Sequence, residues 1–376
     1  MKVKFSAIAL SFVMIILGFV GGFAYNIFAY NVPQTDVYVS GDLSIHFLEL
    51  GNKYCGDSIF IQCGETDILV DAGSENSSAS AIINYVDQFV DDNTLEYVFV
   101  THADTDHIAA LYSTGEREGI FEHYQVETII DFPLTNKENK STTNYGKYIK
   151  YRDLEVQAGA VRYSALECFN NEKGAKRNIE ISSGVEIEIL YNYYYEKPTS
   201  DENNYSVCFM INQGDNHFLF TGDLEKSGEE KLVKYYDDNF GGLPKCVLYK
   251  AGHHGSKTSS TLDLLQAIDP DYVVVCCCAG SSQHTDNKEN QFPTQTMINN
   301  IAPYTDQVYI TTVVDNYVDK DDWSSQGTVK SMNGTIVFTS NKGNITVDCS
   351  NNNLILKETE WFKANRIMPD AWKWFL

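Results

Sequence analysis

The apolar run at residues 97–100 (YVFV) empties directly into Thr101-His102-Ala103-Asp104-Thr105-Asp106-His107, which packs four potential metal ligands into the six positions 102–107. A short run of β-branched and aromatic residues reads as a buried strand. A polar cluster delivered at the end of such a strand is where layered α/β folds place their sites. Imidazole and carboxylate suit Zn²⁺ or Mn²⁺, and alternate positions on a tight loop can aim at two adjacent ions. A solvated acidic turn with two incidental histidines is the competing reading, and the position straight after a buried strand argues against it.

The rest of the chain fits such a fold. Residues 44–50 (SIHFLEL), 58–63 (SIFIQC) and 67–70 (DILV) predict a strand meander broken by glycine-containing turns. Ile82, Ile83, Val86, Phe89 and Val90 recur at helical spacing and predict a helix over about 77–90. Further strands are predicted at 186–191, 205–211, 217–221, 247–249 and 272–277, with helical patterns between several of them. Interleaved strands and helices indicate an α/β layered domain. With 376 residues and 43% hydrophobic content the chain can bury a sizeable core, while 51 acidic against 28 basic residues disfavour a general nucleic-acid-coating role.

Lys2 and Lys4 precede an uncharged stretch that lasts until Asp36. That stretch predicts one N-terminal transmembrane helix with the body outside the plasma membrane. The alternative is secretion after signal cleavage near Ala24, where Gly22 and Ala24 are spaced like a peptidase site. The resulting division is a membrane anchor or signal segment over 1–36, a hydrolase domain over 37–350 and an aromatic tail over 351–376. The tail carries Trp361, Trp372 and Trp374, and packing onto the domain is its default reading. Nine cysteines lack repeated C-x-x-C pairs; Cys276, Cys277 and Cys278 read as buried strand residues, and Cys55 with Cys63 is a candidate disulfide in an exported chain. His46, His123 and His217 read as ordinary surface histidines, as does His284, whose alternative reading is a proton-transfer or substrate contact from the polar loop near Phe292.

HADTDH resembles the HxHxDH signature of the metallo-β-lactamase superfamily, in the HxDxDH form of the hydrolase domain of the DNA-uptake competence protein ComEC. Residues 47–74, with G-D-S and L-V-D-A-G turns, resemble that family's opening strands. Residues 220–223 (FTGD), 249–260 (YKAGHHGSKTSS) and 333–347 resemble its T-G-D motif, its H-H-G-S motif and its closing hairpin. The resemblance implies a four-layer αββα sandwich holding two divalent ions, Zn or Mn. His102 and Asp104 would hold the first ion, Asp106, His107 and His253 the second, with Asp223 between them. His254 is implied as a ligand, a proton donor or a partner that orients His253. Lys250, Ser256 and Lys257 lie on the same loop, where they would stabilise charge on a phosphoryl oxygen or face solvent. Two departures stand out: the first ion's third histidine is missing, with Asn204 the candidate occupant, and Phe292 stands where the ComEC-like pattern has a histidine before Pro293.

The implied chemistry is hydrolysis by a metal-bound hydroxide. A phosphodiesterase acting on single-stranded nucleic acid is the leading expectation. A hydrolase of a cell-envelope phosphodiester or another ester, and a non-catalytic surface protein with a vestigial metal site, are the alternatives. Residues 136–177 carry nine basic against five acidic residues, a local +4 inside a chain whose total is −23, and they interleave Tyr145, Tyr148, Tyr151 and Tyr163. Basic groups among stacking aromatics suit a single-stranded polyanion, whereas a solvated lysine-rich helix is the plain alternative.

Overall fold

The computed structural model describes residues 43–115, 117–315, 328–341 and 343–373. The expected N-terminal helix lies outside them, and among the described residues no helix is long and apolar enough to cross a membrane. Strands β1 (Leu43–Phe47), β2 (Ile59–Cys63) and β3 (Thr66–Val70) form the antiparallel meander, and β4 (Thr94–Val100), β5 (Gln125–Asp131) and β6 (Val161–Ser164) extend it in parallel.

The second sheet runs in simple order from β7 (Asn178–Ser182) through β8 (Val185–Ile189), β9 (Phe209–Gln213), β10 (Asn216–Phe220), β11 (Leu248–Lys250), β12 (Tyr272–Ala279) and β13 (Val308–Asp315) to β14 (Thr328–Ser331). Its β10 to β13 stretch is parallel. The closing hairpin, β15 (Ile336–Asn341) and β16 (Asn344–Cys349), returns to pair β15 with β1. Among the described residues each sheet thus has eight strands.

Strand alternation decides which side chains join the sheets. Phe47 points inward and stacks on Phe220, with ring centroids 6.3 Å apart. Phe209 stacks on Phe220 at 4.7 Å and reaches Phe99 of the opposite sheet at 5.0 Å. The neighbouring His46 points to the other face, under helix α1 (Ala79–Val86), where it meets Phe89 and bonds the Tyr85 hydroxyl. It is a core residue and not the surface histidine expected, because its ring fills the gap between the strands and α1; burial pushes its pKa down to about 3.

Helix α1 is shorter than its apolar pattern predicts. Phe89 and Val90 follow in tight turns whose amides return to Val86. The tail packs through Leu356, Phe362 and Trp372, all buried, and the Trp372 indole donates to the Thr305 carbonyl at 2.8 Å. Trp374 lies outside the described residues. Cys55 and Cys63 are not bridged to each other, and Cys276, Cys277 and Cys278 are buried in β12.

The inter-sheet aromatic stack predicts a large stability effect at one position. Phe209→Ala should cost about 3–5 kcal/mol, read as a lower urea midpoint at unchanged slope. A loss below about 1 kcal/mol would mean that the stack is not what joins the sheets.

Candidate metal centre

Four strand ends build the site. β3 runs into Asp71, β4 into Thr101 through His107, β10 into Thr221-Gly222-Asp223, and β11 ends at Lys250 just before His253 and His254. β3 lies parallel to β4 and β10 parallel to β11, so within each sheet the carboxyl ends share one edge. Asp57 enters from the turn before β2. Two glycines permit the close backbone approach this demands. A Cβ on Gly73 would fall 1.4 Å from the Asp106 carbonyl oxygen, and one on Gly222, at φ +54, would meet the Ser206 hydroxyl at 2.9 Å.

Hydrogen bonding assigns the histidine tautomers. The His254 Nδ1 lies 3.0 Å from the Cys276 carbonyl, which can only accept, so Nδ1 carries the hydrogen. The His107 Nδ1 lies 2.7 Å from the Asp71 carboxylate and is fixed the same way. Around His102, the Thr101 hydroxyl donates to Asp71 and the Ser206 hydroxyl donates to the Asn203 carbonyl. Both hydroxyls have spent their hydrogens, so His102 Nδ1 must donate to them.

In all three rings Nε2 is therefore the free nitrogen, and all three are buried without a hydrogen-bond partner among the described residues. His107 and His254 aim theirs at Asp223 Oδ2, at 3.2 and 3.1 Å, and His254 also faces Asp106 Oδ2 at 3.4 Å. His102 aims at Asp104 Oδ2, 3.5 Å away. Nitrogen lone pairs facing carboxylate oxygens need a proton or a metal cation between them. Backbone and carboxylate partners on the opposite nitrogens are the usual support of ligating histidines.

The electrostatics agree. Asp57, His107, Asp223 and His254 offer ligand atoms within 4.8 Å of one another, all buried. Buried Asp57, Asp71 and Asp223, with half-buried Asp106, set four carboxylates against the buried Lys250 ammonium and outnumber it. Buried charge persists when it is paired or coordinates a metal. Burial works against protonated His107 and His254, yet the charge of Asp223, joined by Asp71 for His107 and by Asp57 for His254, overrides it and raises both pKa values well above normal. Burial likewise opposes the Lys250 ammonium, and Asp57 and Asp223 outweigh it. The residues present fit divalent ions: imidazole and carboxylate donors, converging, orphaned and negative in sum.

Not every expected residue comes together. His253, on which the second ion was expected, turns away to Glu225 at 3.3 Å and Thr258 at 3.2 Å, and its neighbour His254 points inward instead. Both sit at positive φ, 47° and 52°, and this left-handed pair throws the two side chains to different sides. The Asn204 amide oxygen accepts from the Glu225 amide at 3.4 Å, so it does not face His102. Lys250 is buried behind the site on Asp57 and the Gly222 carbonyl rather than turned toward substrate. Lys257 is exposed and bonds Asn290, and Ser256 bonds Thr258. Asp57 and Asp71, absent from the expected ligand set, lay in the G-D-S and V-D-A-G turns, where a carboxylate at a strand end was the available signal.

The family model described as the metallo-beta-lactamase superfamily matches residues 56–120 and 196–279, which together hold Asp57, His102, His107, Asp223 and His254. The chain has the metallo-beta-lactamase fold. Among curated relatives, ComE operon protein 3 of Bacillus subtilis is 24% identical over 193 residues, 50% of this chain and 21% of that protein. Competence protein ComA of Neisseria gonorrhoeae is 41% identical over 91 residues, 24% of this chain and 12% of that protein. The chain thus spans about a fifth or less of the length of these relatives. The metallo-beta-lactamase fold protein YhfI from Bacillus subtilis, a solved structure, aligns over 77% of this chain and 99% of its own at 12% identity and a TM-score of 0.42. The superfamily match, with this donor set, supports a metal-dependent hydrolase.

The raised imidazole pKa values carry a sign that can be checked. The raised pKa values favour a proton on Nε2 of the metal-free rings, which an entering ion would displace, so affinity should rise with pH. Calorimetry in buffers of different ionisation enthalpy should show proton release on binding of the tight ion, decreasing as pH rises. Binding without proton release would mean that the ion does not sit on these nitrogens.

Proposed function

We propose that the chain is an extracytoplasmic binuclear-metal phosphodiesterase whose first candidate substrate is single-stranded nucleic acid. The observation that carries it is the convergence of three free Nε2 atoms with Asp104, Asp106 and Asp223. When bound, divalent zinc or manganese ions would supply an activated water and offset charge on the phosphoryl oxygens. His107, His254, Asp106 and Asp223 would hold one ion, His102 and Asp104 the other. Asp71 and the Cys276 carbonyl keep two of the rings in the binding tautomer, and Lys250 limits the repulsion between Asp57 and Asp223. Half-buried Phe292 lies beside His253 and His254, its ring 5.8 and 6.4 Å from theirs, and an aromatic ring this near the centre suits a nucleobase. Support for a nucleic acid also comes from the competence proteins that the chain resembles. The uncharged run behind Lys2 and Lys4 supports the extracytoplasmic placement.

The basic segment is reduced by the structure. Arg152 and Arg162 both bind the buried Asp131, Lys140 binds Glu138, Lys173 binds Glu167 and Arg177 binds Glu188. Lys147 and Lys150, on the helix Asn144–Ala158, lie instead over the rings of Tyr112 and Tyr151. So much pairing favours, as the second reading, a small envelope phosphodiester that needs no basic track.

Reversing Lys147 and Lys150 to glutamate separates the two. Cleavage of long single-stranded DNA should weaken severalfold with a flatter salt dependence, and turnover of bis(p-nitrophenyl) phosphate should hold. No change on either substrate would move the envelope reading to first place, and absence of phosphodiester turnover in the metal-loaded parent protein would refute the proposal. Arg152 is excluded from that variant: its reversal sets a second carboxylate against buried Asp131 and should cost on the order of 3–5 kcal/mol of stability by urea unfolding.

A further inference from the structure

We propose that Lys137 is an internal cation that competes with the first metal ion for Asp104, so that the two metal positions of the binuclear reading, on which this inference rests, fill unequally. The halves of the centre differ. Two imidazoles and two carboxylates surround the position near Asp223 Oδ2, where the Lys250 ammonium pairs with Asp57 and lies 3.5 Å from Asp223 Oδ1. The position near His102 has one imidazole and Asp104. Of that carboxylate, Oδ2 faces His102 and Oδ1 is taken by the Lys137 ammonium.

Lys137 is not there by the accident of a long side chain. Buried Glu202 accepts the Ala103 amide at 3.2 Å, the Thr135 hydroxyl at 2.7 Å and the Asn136 amide at 2.8 Å. The Thr135 hydroxyl oxygen in turn accepts the Lys137 amide at 3.0 Å, and Asn136 donates to the Ser200 carbonyl. One carboxylate therefore ties the loop that carries Asp104 to the loop that carries Lys137. Glu202 belongs to the segment from which a third ligand for the first ion was expected. Its neighbour Asn204 is turned to Glu225 and Asp201. In this chain the segment that withholds a ligand also holds a positive charge at the vacated place.

A lysine–aspartate pair with about a third of each side chain exposed is weak, so a dication can displace it, at a cost in affinity. At the other position Lys250 contacts Asp57 and, at 3.5 Å, Asp223 Oδ1, but two imidazoles and Asp106 remain there to hold an ion.

The test is equilibrium metal titration of the whole chain in chelator-buffered Zn²⁺ or Mn²⁺, with bound metal counted by mass spectrometry. The wild type should bind one ion tightly and a second more weakly. Lys137→Met should tighten the second constant by up to about fivefold, the upper worth of a partly exposed ion pair, and leave the first unchanged. Lys137→Arg should keep the gap, and His102→Ala should abolish the weak site alone. The retained tight site reports that each variant is folded. Equal constants in the wild type, or a gap that Lys137→Met leaves as it was, would overturn the proposal. A single ion in wild type and Lys137→Met at every metal concentration would overturn the binuclear reading itself.

Discussion

The centre depends on one contact: two imidazole nitrogens, His107 Nε2 and His254 Nε2, both aimed at a single carboxylate oxygen of Asp223. Nothing in that arrangement is stable by itself. Lone pairs facing an anion repel, and protonating the rings only partly offsets the surrounding carboxylates. The fold tolerates the contact because two sheets, joined by the aromatic stack of Phe47, Phe209 and Phe220, bring their strand ends to one edge and hold Asp223 there. Such preorganisation at the expense of local stability is what a metal site requires.

Charge is apportioned in layers around that contact. Asp71 sits behind His107 and fixes its tautomer; Lys250 sits behind Asp57 and Asp223 and takes up part of their charge. Glu229, buried with its pKa raised by burial to about 7, holds the amides of Ser260 and Thr261 and so anchors the loop that carries His254. Farther out, Asp131 binds Arg152, Arg162 and the Tyr148 hydroxyl, so basic residues that looked available to a polyanion are spent on the fold.

Much of this was legible in the sequence where local pattern decides it. The run YVFV followed by HADTDH marks a strand and its loop, and the T-G-D and H-H-G-S motifs mark two more strand ends, because each is read within a few residues. What was hidden depends on contacts between distant residues or on backbone angles. Adjacent His253 and His254 are equivalent in sequence, and only their left-handed conformations decide which one turns inward. Asp57 looked like part of a turn until β2 placed it opposite Lys250. His46 is indistinguishable from a surface histidine until α1 covers it. Lys137 and Glu202 lie 65 positions apart, and no local pattern announces that one fixes the loop of the other.

The most direct test is an anomalous difference map from crystals of the chain loaded with Zn²⁺ or Mn²⁺, recorded at the metal edge. The account predicts a peak about 2.0–2.2 Å from both His107 Nε2 and His254 Nε2 and in contact with Asp223. A peak on His253, with His254 turned away from Asp223, would contradict it.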